Sequence, residues 1–584
     1  MSDNKFFANR HSTWGHKWGY KDSRFVLNKD RTVSMEGDRY ELSGTRMPDF
    51  IPYIEEVIGI EINPGNTLAE VENKPVSSLN INQVFVDNIK NEFEDDRYSF
   101  EDEDRLIHSH GQTTSEEVYK ILYNQIKRCV DMVFYVENDE EVQRLIELAV
   151  EFDVCLVPFG GGTSVTSALK IPSSEQRMIV SVDLRRMNQV EWINEEDRQV
   201  CVQAGITGSD LEDLLAEKGY CMGHEPDSVE LSTLGGWIAT NASGMKKNRY
   251  GNIEDIVENV TMITAKGTVE QVKPLSRASI GFKPQNILFG SEGNLGIITK
   301  AVLKIHKTPE IKKYNSIIFK DWETGVQFLY NLSKTNFIPS SVRLVDNMQF
   351  RFGQALKPKA QGFKKFMGQI EKFFALKVKG LDAEKMCATT FLMEGSQNEI
   401  AYQEKNILKL AKQHGGLVGG PGNGKRGYLL TFAIAYVRDF LTDFHIIGET
   451  METTVPWSKI KPVCEAASNT LFELHKKHNL PGKPYISYRI PQIYHTGVCI
   501  YFMLGMSVEN VPNAEDLFGE IEHAIRRAIM DQGGSISHHH GVGKIRKDFL
   551  KDTLSDSSVE LIKDLKKAHD PSNIFGIRNG VFAD

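Results

Sequence analysis

Three consecutive histidines, His538, His539 and His540, offer the side chains of this sequence best suited to proton transfer. An imidazole titrates near neutral pH, and it also ligates transition metals. If the preceding residues end a strand, His538 and His540 lie on one face and His539 on the other, because side chains alternate along a strand. A zinc site needs a third ligand with supporting partners, and none is evident. The residues alone leave acid–base catalysis and metal binding open.

Tyr501 is a second candidate for proton transfer. It lies in a short apolar stretch that predicts a strand, 37 positions before His538. A phenol is too weak an acid to ionise unaided at neutral pH, but a neighbouring imidazole could make it a proton shuttle. Without that neighbour, the pattern is typical of an ordinary tyrosine in a protein core.

Three glycine-rich stretches predict a cradle for a large, flat ligand that carries phosphate. The first follows a predicted strand and lets consecutive backbone N–H groups turn toward one anion, such as a pyrophosphate. The other two combine small residues with short hydroxyl and amide side chains. Each alone is compatible with a turn, but three within 140 residues favour one binding site. The predicted contacts are Pro158, Phe159, Gly160, Gly161, Gly162, Thr163, Ser164, Asp227, Ser228, Ser232, Thr233, Gly235, Thr240, Asn241, Ala242, Ser243, Glu292, Gly293, Asn294, Leu295, Gly296, Ile297 and Ile298.

The elements that must position these residues fall into two regions. Apolar stretches at 132–136 and 154–159 predict strands, and Asn138 with Glu141 resembles a capping box that begins a helix between them. This β-α-β unit leads directly into the first glycine-rich stretch. After Pro309 the pattern alternates strands with longer helices, which predicts a second large domain. The predicted division is 1–115, 116–308, 309–530 and 531–584.

The composition of the chain excludes several classes of protein. The chain has 584 residues, 40% of them hydrophobic and 25% charged, which is typical of a globular protein. The net charge of -9 argues against nucleic-acid binding. No apolar run approaches the ~20 residues of a membrane span, and neither terminus carries a recognisable targeting signal. Seven scattered cysteines favour a reducing compartment.

Two stretches have unusual charge. Residues 92–105 hold eight acids and two arginines, which predicts a solvated connector. Residues 362–380 combine phenylalanines on one helical face with lysines. That pattern is compatible with a helix on a membrane surface, or with an ordinary helix whose lysines face water.

The glycine-rich stretches, P-F-G-G-G-T-S, G-G-W-I-A-T-N-A-S-G and G-S-E-G-N-L-G-I-I-T, resemble the FAD-binding domain of the vanillyl-alcohol-oxidase and p-cresol-methylhydroxylase flavoproteins. Further stretches at 223–228, 243–255, 341–347 and 533–547 resemble the ether-lipid synthases of that superfamily. The resemblance implies an α+β fold, with a two-subdomain FAD-binding domain and an α/β cap domain. Positions 160 to 164 carry no histidine that could tether the flavin, so we expect non-covalent FAD.

The same resemblance assigns roles to individual residues. It implies that Tyr501 and the histidines at 538–540 are catalytic, with no metal. It also implies that Arg438 holds a substrate phosphate through a bidentate fork and that Arg343 acts near the flavin. The alternative for these two arginines is an ion pair with a nearby acid, Asp439 or Asp346.

The implied activity replaces the acyl chain of acyl-dihydroxyacetone phosphate with a long-chain fatty alcohol, with FAD as a covalent catalyst and no net redox. A peroxisomal location, a homodimer and peripheral contact with a membrane are implied as well. The glycine-rich stretches leave two alternatives open. One is an FAD-dependent 2-hydroxyacid dehydrogenase, and the other is a lipid-binding flavoprotein without activity.

Overall fold

The computed structural model describes residues 12–71, 76–124, 126–273, 275–358 and 381–584. Strands in these ranges form five sheets, and the three largest define two lobes. The first lobe carries a four-stranded and a five-stranded sheet, and the second carries a seven-stranded sheet. The predicted α+β class is confirmed. Within the described ranges, we find no helix with both the length and the apolar character that crossing a membrane requires.

The four-stranded sheet contains the predicted β-α-β unit. Its connecting helix, Asp139–Phe152, begins where the Asn138 side chain accepts a hydrogen bond from the Glu141 amide, and it buries Val142, Leu145, Ile146, Leu148 and Ala149. The strand that follows, Cys155–Phe159, ends at the first glycine-rich stretch. In spatial order the strands are Tyr98–Ser99, Met132–Tyr135, Ile179–Asp183 and Cys155–Phe159, the last three parallel to one another.

The five-stranded sheet is antiparallel and completes the first lobe. One core joins the two sheets, with Phe134 from the first and Val260 from the second. In spatial order the strands are Gly267–Val269, Val257–Thr264, Ile297–Lys304, Gln199–Gln203 and Val190–Asn194, and Tyr220–Cys221 pairs separately with His306–Lys307. The helices are Gly208–Glu217, Leu234–Thr240, Lys247–Tyr250, Ile253–Ile256 and Gln285–Leu288.

The second lobe is built on the antiparallel seven-stranded sheet. Helices cover this sheet and bury a separate apolar core. In spatial order the strands are Leu417–Val418, Ile311–Phe319, Cys387–Gly395, Ser341–Val345, Tyr485–Ile493, Gly497–Ser507 and Ile446–Pro456. The helices are Trp322–Leu332, Asn347–Ala355, Gln397–Gln413, Pro421–Leu429, Ile434–Thr442, Ile460–Lys477 and Ala514–Asp531, with 3₁₀ turns at Leu430–Ala433 and Trp457–Lys459.

The first and last described segments pack against these lobes. Near the N-terminus, Phe50 contacts Phe352 and Phe440 of the second lobe. Near the C-terminus, Ile574 and Phe575 enter the core of the first lobe. The N-terminal elements are strands Arg24–Leu27, Val33–Glu36 and Arg46–Met47 with helices Phe50–Ile58, Gln83–Glu92, Asp102–Ile107 and Ser115–Tyr123 and the turn Asp95–Arg97; the C-terminal elements are Lys547–Asp552, Asp556–His569 and Gly580–Phe582.

The acidic stretch at 92–105 is more ordered than the solvated connector that its charge predicts. Tyr98–Ser99 adds an edge strand to the four-stranded sheet. Arg105 is 2% exposed and donates to the carbonyl of Val130 at 2.9 Å and to Asp102 at 2.6 Å. Seven of the eight acids are exposed, whereas Arg97 and Arg105 fold inward, so the arginines are what departs from the predicted solvated connector. The basic stretch at 362–380 lies outside the described residues.

Candidate active site

Tyr501 occupies the middle of three adjacent strands in the second lobe. Its register partners are Glu452 on one neighbouring strand and Arg489 on the other. Directly opposed residues of antiparallel strands project from the same face of the sheet. The fold therefore gathers a phenol, a carboxylate and a guanidinium into one row. Tyr501 is buried, with 6% of its surface exposed.

The histidines at 538–540, which we call the histidine loop, lie against this row. Tyr501 Oη is 2.7 Å from His540 Nε2 and 3.1 Å from His539 Nε2. His538 turns away and places its Nε2 2.6 Å from the hydroxyl of Tyr494. The predicted pairing of His538 with His540 on one strand face is wrong, because these residues form consecutive bends instead of a strand end.

Glu452 fixes the shape of the histidine loop. Its fully buried carboxylate accepts hydrogen bonds from the backbone N–H groups of His538 and His540, from Ser537 Oγ at 2.7 Å and from Arg546 Nη1 at 3.1 Å. Burial opposes its ionisation, but the nearby His540 and Arg546 outweigh that effect and hold the pKa of Glu452 well below its usual range. A permanent negative charge therefore sits beneath the loop.

A second carboxylate, Asp227, organises two arginines on the other side of Tyr501. Asp227 accepts a hydrogen bond from Arg489 Nη2 at 3.1 Å and lies 3.8 Å from Arg343 Nη2. Arg343 is buried and also donates to Thr431 Oγ1. The Arg489 guanidinium stands 4.4 Å from the centre of the Tyr501 ring, a cation–π distance.

Burial keeps the proton-transfer groups neutral. Burial, reinforced by Asp227, raises the pKa of Tyr501 well above its usual range. Burial also lowers the pKa of His539, lowers that of His540 well below its usual range, and lowers that of His538 to about 3. The site therefore presents a protonated phenol beside unprotonated imidazole nitrogens at neutral pH. That arrangement allows a proton to pass from Tyr501 to either neighbouring histidine.

A cavity of about 300 Å³ opens between the lobes in front of Tyr501, and we call it the interlobe cavity. One part of its lining, the glycine-rich wall, is the stretch after Cys155–Phe159, and another part includes Arg489, Tyr501, His539 and His540. A ligand held by the glycine-rich wall therefore faces the proton-transfer groups.

Two family models match the chain. The first, described as FAD binding domain, covers residues 130–273, and the second, described as FAD linked oxidases, C-terminal domain, covers residues 308–577. FAD is therefore the cofactor. The solved structure of p-cresol methylhydroxylase, at 14% identity and a TM-score of 0.65 over 86% of this chain and 98% of that one, shares the fold.

Relatives with higher sequence identity show which family within this fold the chain belongs to. The alkyldihydroxyacetonephosphate synthase of Caenorhabditis elegans is 38% identical, over 96% of this chain and 94% of the relative. That of Dictyostelium discoideum is 29% identical, over 96% and 92%. A solved structure of an alkyldihydroxyacetonephosphate synthase is 27% identical, with a TM-score of 0.83 over 97% of each chain. This chain belongs to the alkyldihydroxyacetonephosphate synthase family.

The glycine-rich wall fits a flavin nucleotide. A Cβ atom on Gly160 would stand 2.3 Å from Thr233 Oγ1, and one on Gly161 would stand 2.0 Å from the carbonyl oxygen of Leu231. Only glycine therefore allows this stretch to pack directly against residues 231–233. Both stretches also line the interlobe cavity, where the backbone N–H groups of consecutive glycines could bind an anionic ligand.

Most of the predicted flavin contacts do line the interlobe cavity. Four do not. Asn241 ends the helix Leu234–Thr240 with a left-handed backbone, Asn294 bonds the C-terminal segment through Asn579, and Leu295 and Ile297 pack in the first core. Those that line it are Pro158, Phe159, Gly160, Gly161, Gly162, Thr163, Ser164, Asp227, Ser228, Ser232, Thr233, Gly235, Thr240, Ala242, Ser243, Glu292, Gly293, Gly296 and Ile298.

Glu292 links the two walls. It lines the cavity, and its carboxylate also accepts from the backbone N–H groups of Val542 and Gly543, just after the histidine loop. The third glycine-rich stretch thus holds the segment after the histidine loop and also lines the cavity. Among the described lining residues, the only histidines are His539 and His540. Non-covalent FAD stays a prediction.

Arg438 lies away from Tyr501. Its guanidinium bonds Asp439 and donates to the carbonyls of Thr113 and of Gln112, the latter at 3.0 Å. It lines a second, largely apolar cavity of about 150 Å³, the side cavity, which shares Thr113, Ile434 and other residues with the interlobe cavity. The ion pair with Asp439, the alternative raised by the sequence, is present. The phosphate role stays a prediction.

Sequence reasoning missed Glu452 and Arg489. Both lie on apolar strands, and their only sequence signal is a charged residue where a strand interior favours apolar ones. It also missed that Cys499 approaches His538 and His539, with potential ligand atoms within 4.8 Å of one another. The two imidazoles already share a hydrogen bond, Nδ1 to Nδ1 at 2.7 Å. The absence of a metal stays a prediction.

Replacing Glu452 with Gln should disable the histidine loop. The amide keeps the size but loses the charge that pairs with Arg546, and breaking a buried ion pair costs about 3–5 kcal/mol. We expect a lower midpoint of thermal unfolding and turnover reduced by about 100-fold, read from a melting curve and a rate assay. The surface variant Glu465→Gln is the control. Unchanged turnover in Glu452→Gln would show that the loop holds its shape without this carboxylate.

His224 should make stability depend on pH. It is buried, and burial lowers its pKa to about 3. An unfolded histidine titrates near 6.5, so the unfolded chain binds one more proton between these values, and stability falls as the pH decreases through that window. From pH 7 to pH 5 this one group should cost about 2 kcal/mol. Between pH 7 and pH 5, the stability of His224→Gln, measured from melting curves, should decrease less than that of wild type. The variant His478→Gln, at an exposed position, should lose as much stability as wild type.

Proposed function

We propose that this chain forms the ether bond of alkyl-dihydroxyacetone phosphate. It exchanges the acyl chain of acyl-dihydroxyacetone phosphate for a long-chain fatty alcohol and releases a fatty acid, with no net redox. The observation that carries this proposal is the buried Tyr501 hydroxyl within hydrogen-bond reach of two imidazoles, in a cavity that the glycine-rich stretch also lines. The named relatives are synthases of this product, which supports the assignment.

Tyr501 is the proposed base for the first proton transfer. It removes a proton from the substrate carbon that carries the acyl group, as its own phenolic proton moves to an imidazole within 3.1 Å. Bound FAD would supply an electrophilic ring system that holds this carbon while the two chains exchange. Arg489, 4.4 Å from the phenol ring, stabilises negative charge that develops on Tyr501.

The side cavity offers a cation and apolar side chains to one substrate. Arg438 is the proposed phosphate ligand, and its position in the side cavity, beside residues shared with the interlobe cavity, supports this role. The apolar residues of the side cavity, among them Ile54, Phe352 and Leu441, suit an alkyl chain. Arg343 would pair with Asp227 and so help fix the position of this carboxylate beside Tyr501.

We also propose the domain division 1–115, 116–308, 309–530 and 531–584, with the last segment closing the active site. Its Phe575 lies in the core of the first lobe, which supports a closing role. A peroxisomal location, a homodimer and contact with a membrane surface are proposed from the family. Both lipid substrates partition into bilayers, so flotation of the purified protein with liposomes tests the membrane contact.

The decisive assay mixes the purified flavoprotein with acyl-dihydroxyacetone phosphate and labelled hexadecanol. The proposal expects label in an ether lipid and an equal amount of released fatty acid, without any electron acceptor. Reduction of dichlorophenolindophenol by a 2-hydroxyacid, with no labelled ether, would instead establish the dehydrogenase. Neither reaction would leave a lipid-binding flavoprotein. Acid precipitation should release FAD into the supernatant, and a yellow pellet would disprove non-covalent binding.

Tyr501→Phe should abolish most synthesis. The ring still fills its place under Arg489, but the hydroxyl that takes the substrate proton is gone. We expect turnover to fall by about 100-fold to 10,000-fold, with flavin content unchanged. The matched control is Tyr402→Phe, whose ring is half exposed at 51%. Retention of more than about a tenth of the activity would mean that a histidine, not Tyr501, is the base.

A further inference from the structure

Tyr494 has no part in the mechanism described so far, yet it ends an unbroken line of hydrogen bonds from Tyr501. The line runs from Tyr501 Oη to His539 Nε2 at 3.1 Å, from His539 Nδ1 to His538 Nδ1 at 2.7 Å, and from His538 Nε2 to Tyr494 Oη at 2.6 Å. Every step is within hydrogen-bond reach. Each imidazole uses both ring nitrogens along the line.

The outer end of this line approaches solvent. Tyr494 lies in the turn between strands Tyr485–Ile493 and Gly497–Ser507, and it is half-buried. The two residues after it, His495 and Thr496, are exposed. Tyr501, at the inner end, is buried. The Tyr494 hydroxyl also donates to Gln492 Oε1 at 3.4 Å. The line therefore runs from the buried Tyr501 to a turn whose next two residues are exposed.

The other neighbour of Tyr501 offers no such exit. The remaining nitrogen of His540, Nδ1, lies 3.3 Å from Glu452, whose carboxylate is fully buried. A proton that enters His540 therefore stays beneath the histidine loop. The branch through His539 and His538 leads outward instead.

We propose that His539, His538 and Tyr494 form a proton relay that connects Tyr501 with solvent. The proposal rests on the proposed function, in which Tyr501 accepts a proton from the substrate in each turnover. Tyr501 makes its contact with the substrate directly, whereas Tyr494 acts through the two histidines. It is a relay residue that sets how fast Tyr501 returns to its starting state.

One proton enters the relay and one leaves. Tyr501 gives its phenolic proton to His539 Nε2, His539 gives its Nδ1 proton to His538 Nδ1, and His538 gives its Nε2 proton to the oxygen of Tyr494. The hydroxyl proton of Tyr494 passes to water, and no electron is transferred. The reverse passage restores the starting tautomers. Burial lowers the pKa of His538 to about 3, so the proton passes through without resting there as an imidazolium.

The surroundings hold Tyr494 in line. Lys247 Nζ stands 3.5 Å from the centre of the Tyr494 ring and donates to the carbonyl of Ile493. Burial lowers the pKa of Lys247 to about 8. A cation at this place repels a second positive charge on His538 and so favours rapid passage. The nearby negative charge is Glu452, which binds the backbone of His538, not its ring.

Tyr494→Phe tests the relay in the full-length flavoprotein. The variant keeps the ring under Lys247 and removes only the hydroxyl, so we expect kcat for ether synthesis to fall about tenfold and KM to stay within about twofold. Added imidazole should restore part of kcat in proportion to its concentration, because a small base can replace the missing outer group. A purely structural role for Tyr494 would show no such rescue.

The matched control is Tyr488→Phe, on the same strand region, whose hydroxyl bonds Ser468 and not the histidine loop. Its kcat should equal that of wild type. A second test uses His538→Gln, alone and combined with Tyr494→Phe. Groups that act in series are not additive, so the double variant should be no slower than His538→Gln.

The outcomes separate the relay from the proposed function. If wild type makes no ether lipid, the proposed function and the relay both fall. If wild type is active and Tyr494→Phe has its full kcat, the relay alone is overturned. A slow Tyr494→Phe that imidazole does not rescue, or a double variant that multiplies the two losses, also overturns it.

Discussion

The buried charge of Glu452 is the constraint on which the active site depends. An unpaired carboxylate in a protein interior is so costly that the chain must surround it with donors. Here the donors are the backbone of His538 and His540, Ser537 and Arg546, all from the segment that carries the histidines. Satisfying one carboxylate therefore forces that segment against the strand that holds Tyr501.

Each carboxylate beside Tyr501 is paired with at least one arginine, and this pairing makes the neutrality of the phenol useful. Asp227 is matched by Arg489 and Arg343, as Glu452 is by Arg546. Fixed ion pairs thus form the frame, while the groups that exchange protons carry no charge at rest. A proton moving between neutral groups in such a frame meets oriented dipoles and charges that need no rearrangement. That suits a reaction without net electron transfer, in which acid–base steps must be repeated in every cycle.

Local patterns explain how much the sequence could predict. The β-α-β unit follows from periodicity and the cap at Asn138, and the glycine-rich cradle follows from residues that stand side by side in the chain. Glu452 and Arg489 could not be found this way, because their roles depend on strand register across 49 and 12 residues from Tyr501. The orientation of His539 was missed for a related reason. The bends of the loop are fixed by hydrogen bonds to the carboxylate of Glu452, which lies 86 positions before His538, and not by a local sequence pattern.

The histidine loop is held from both sides, by contacts before it and after it. Before the loop, Arg526 donates to the carbonyls of Glu452 and Ile536. After it, the Glu292 carboxylate accepts hydrogen bonds from the backbone N–H groups of Val542 and Gly543, and Phe575 packs in the core of the first lobe. A change in the distance between the lobes would therefore pull on the loop at the point where it meets Tyr501. The C-terminal segment thus ties the glycine-rich stretch to the residues around Tyr501. The separation between them is set by buried side chains that bond the backbone of this segment.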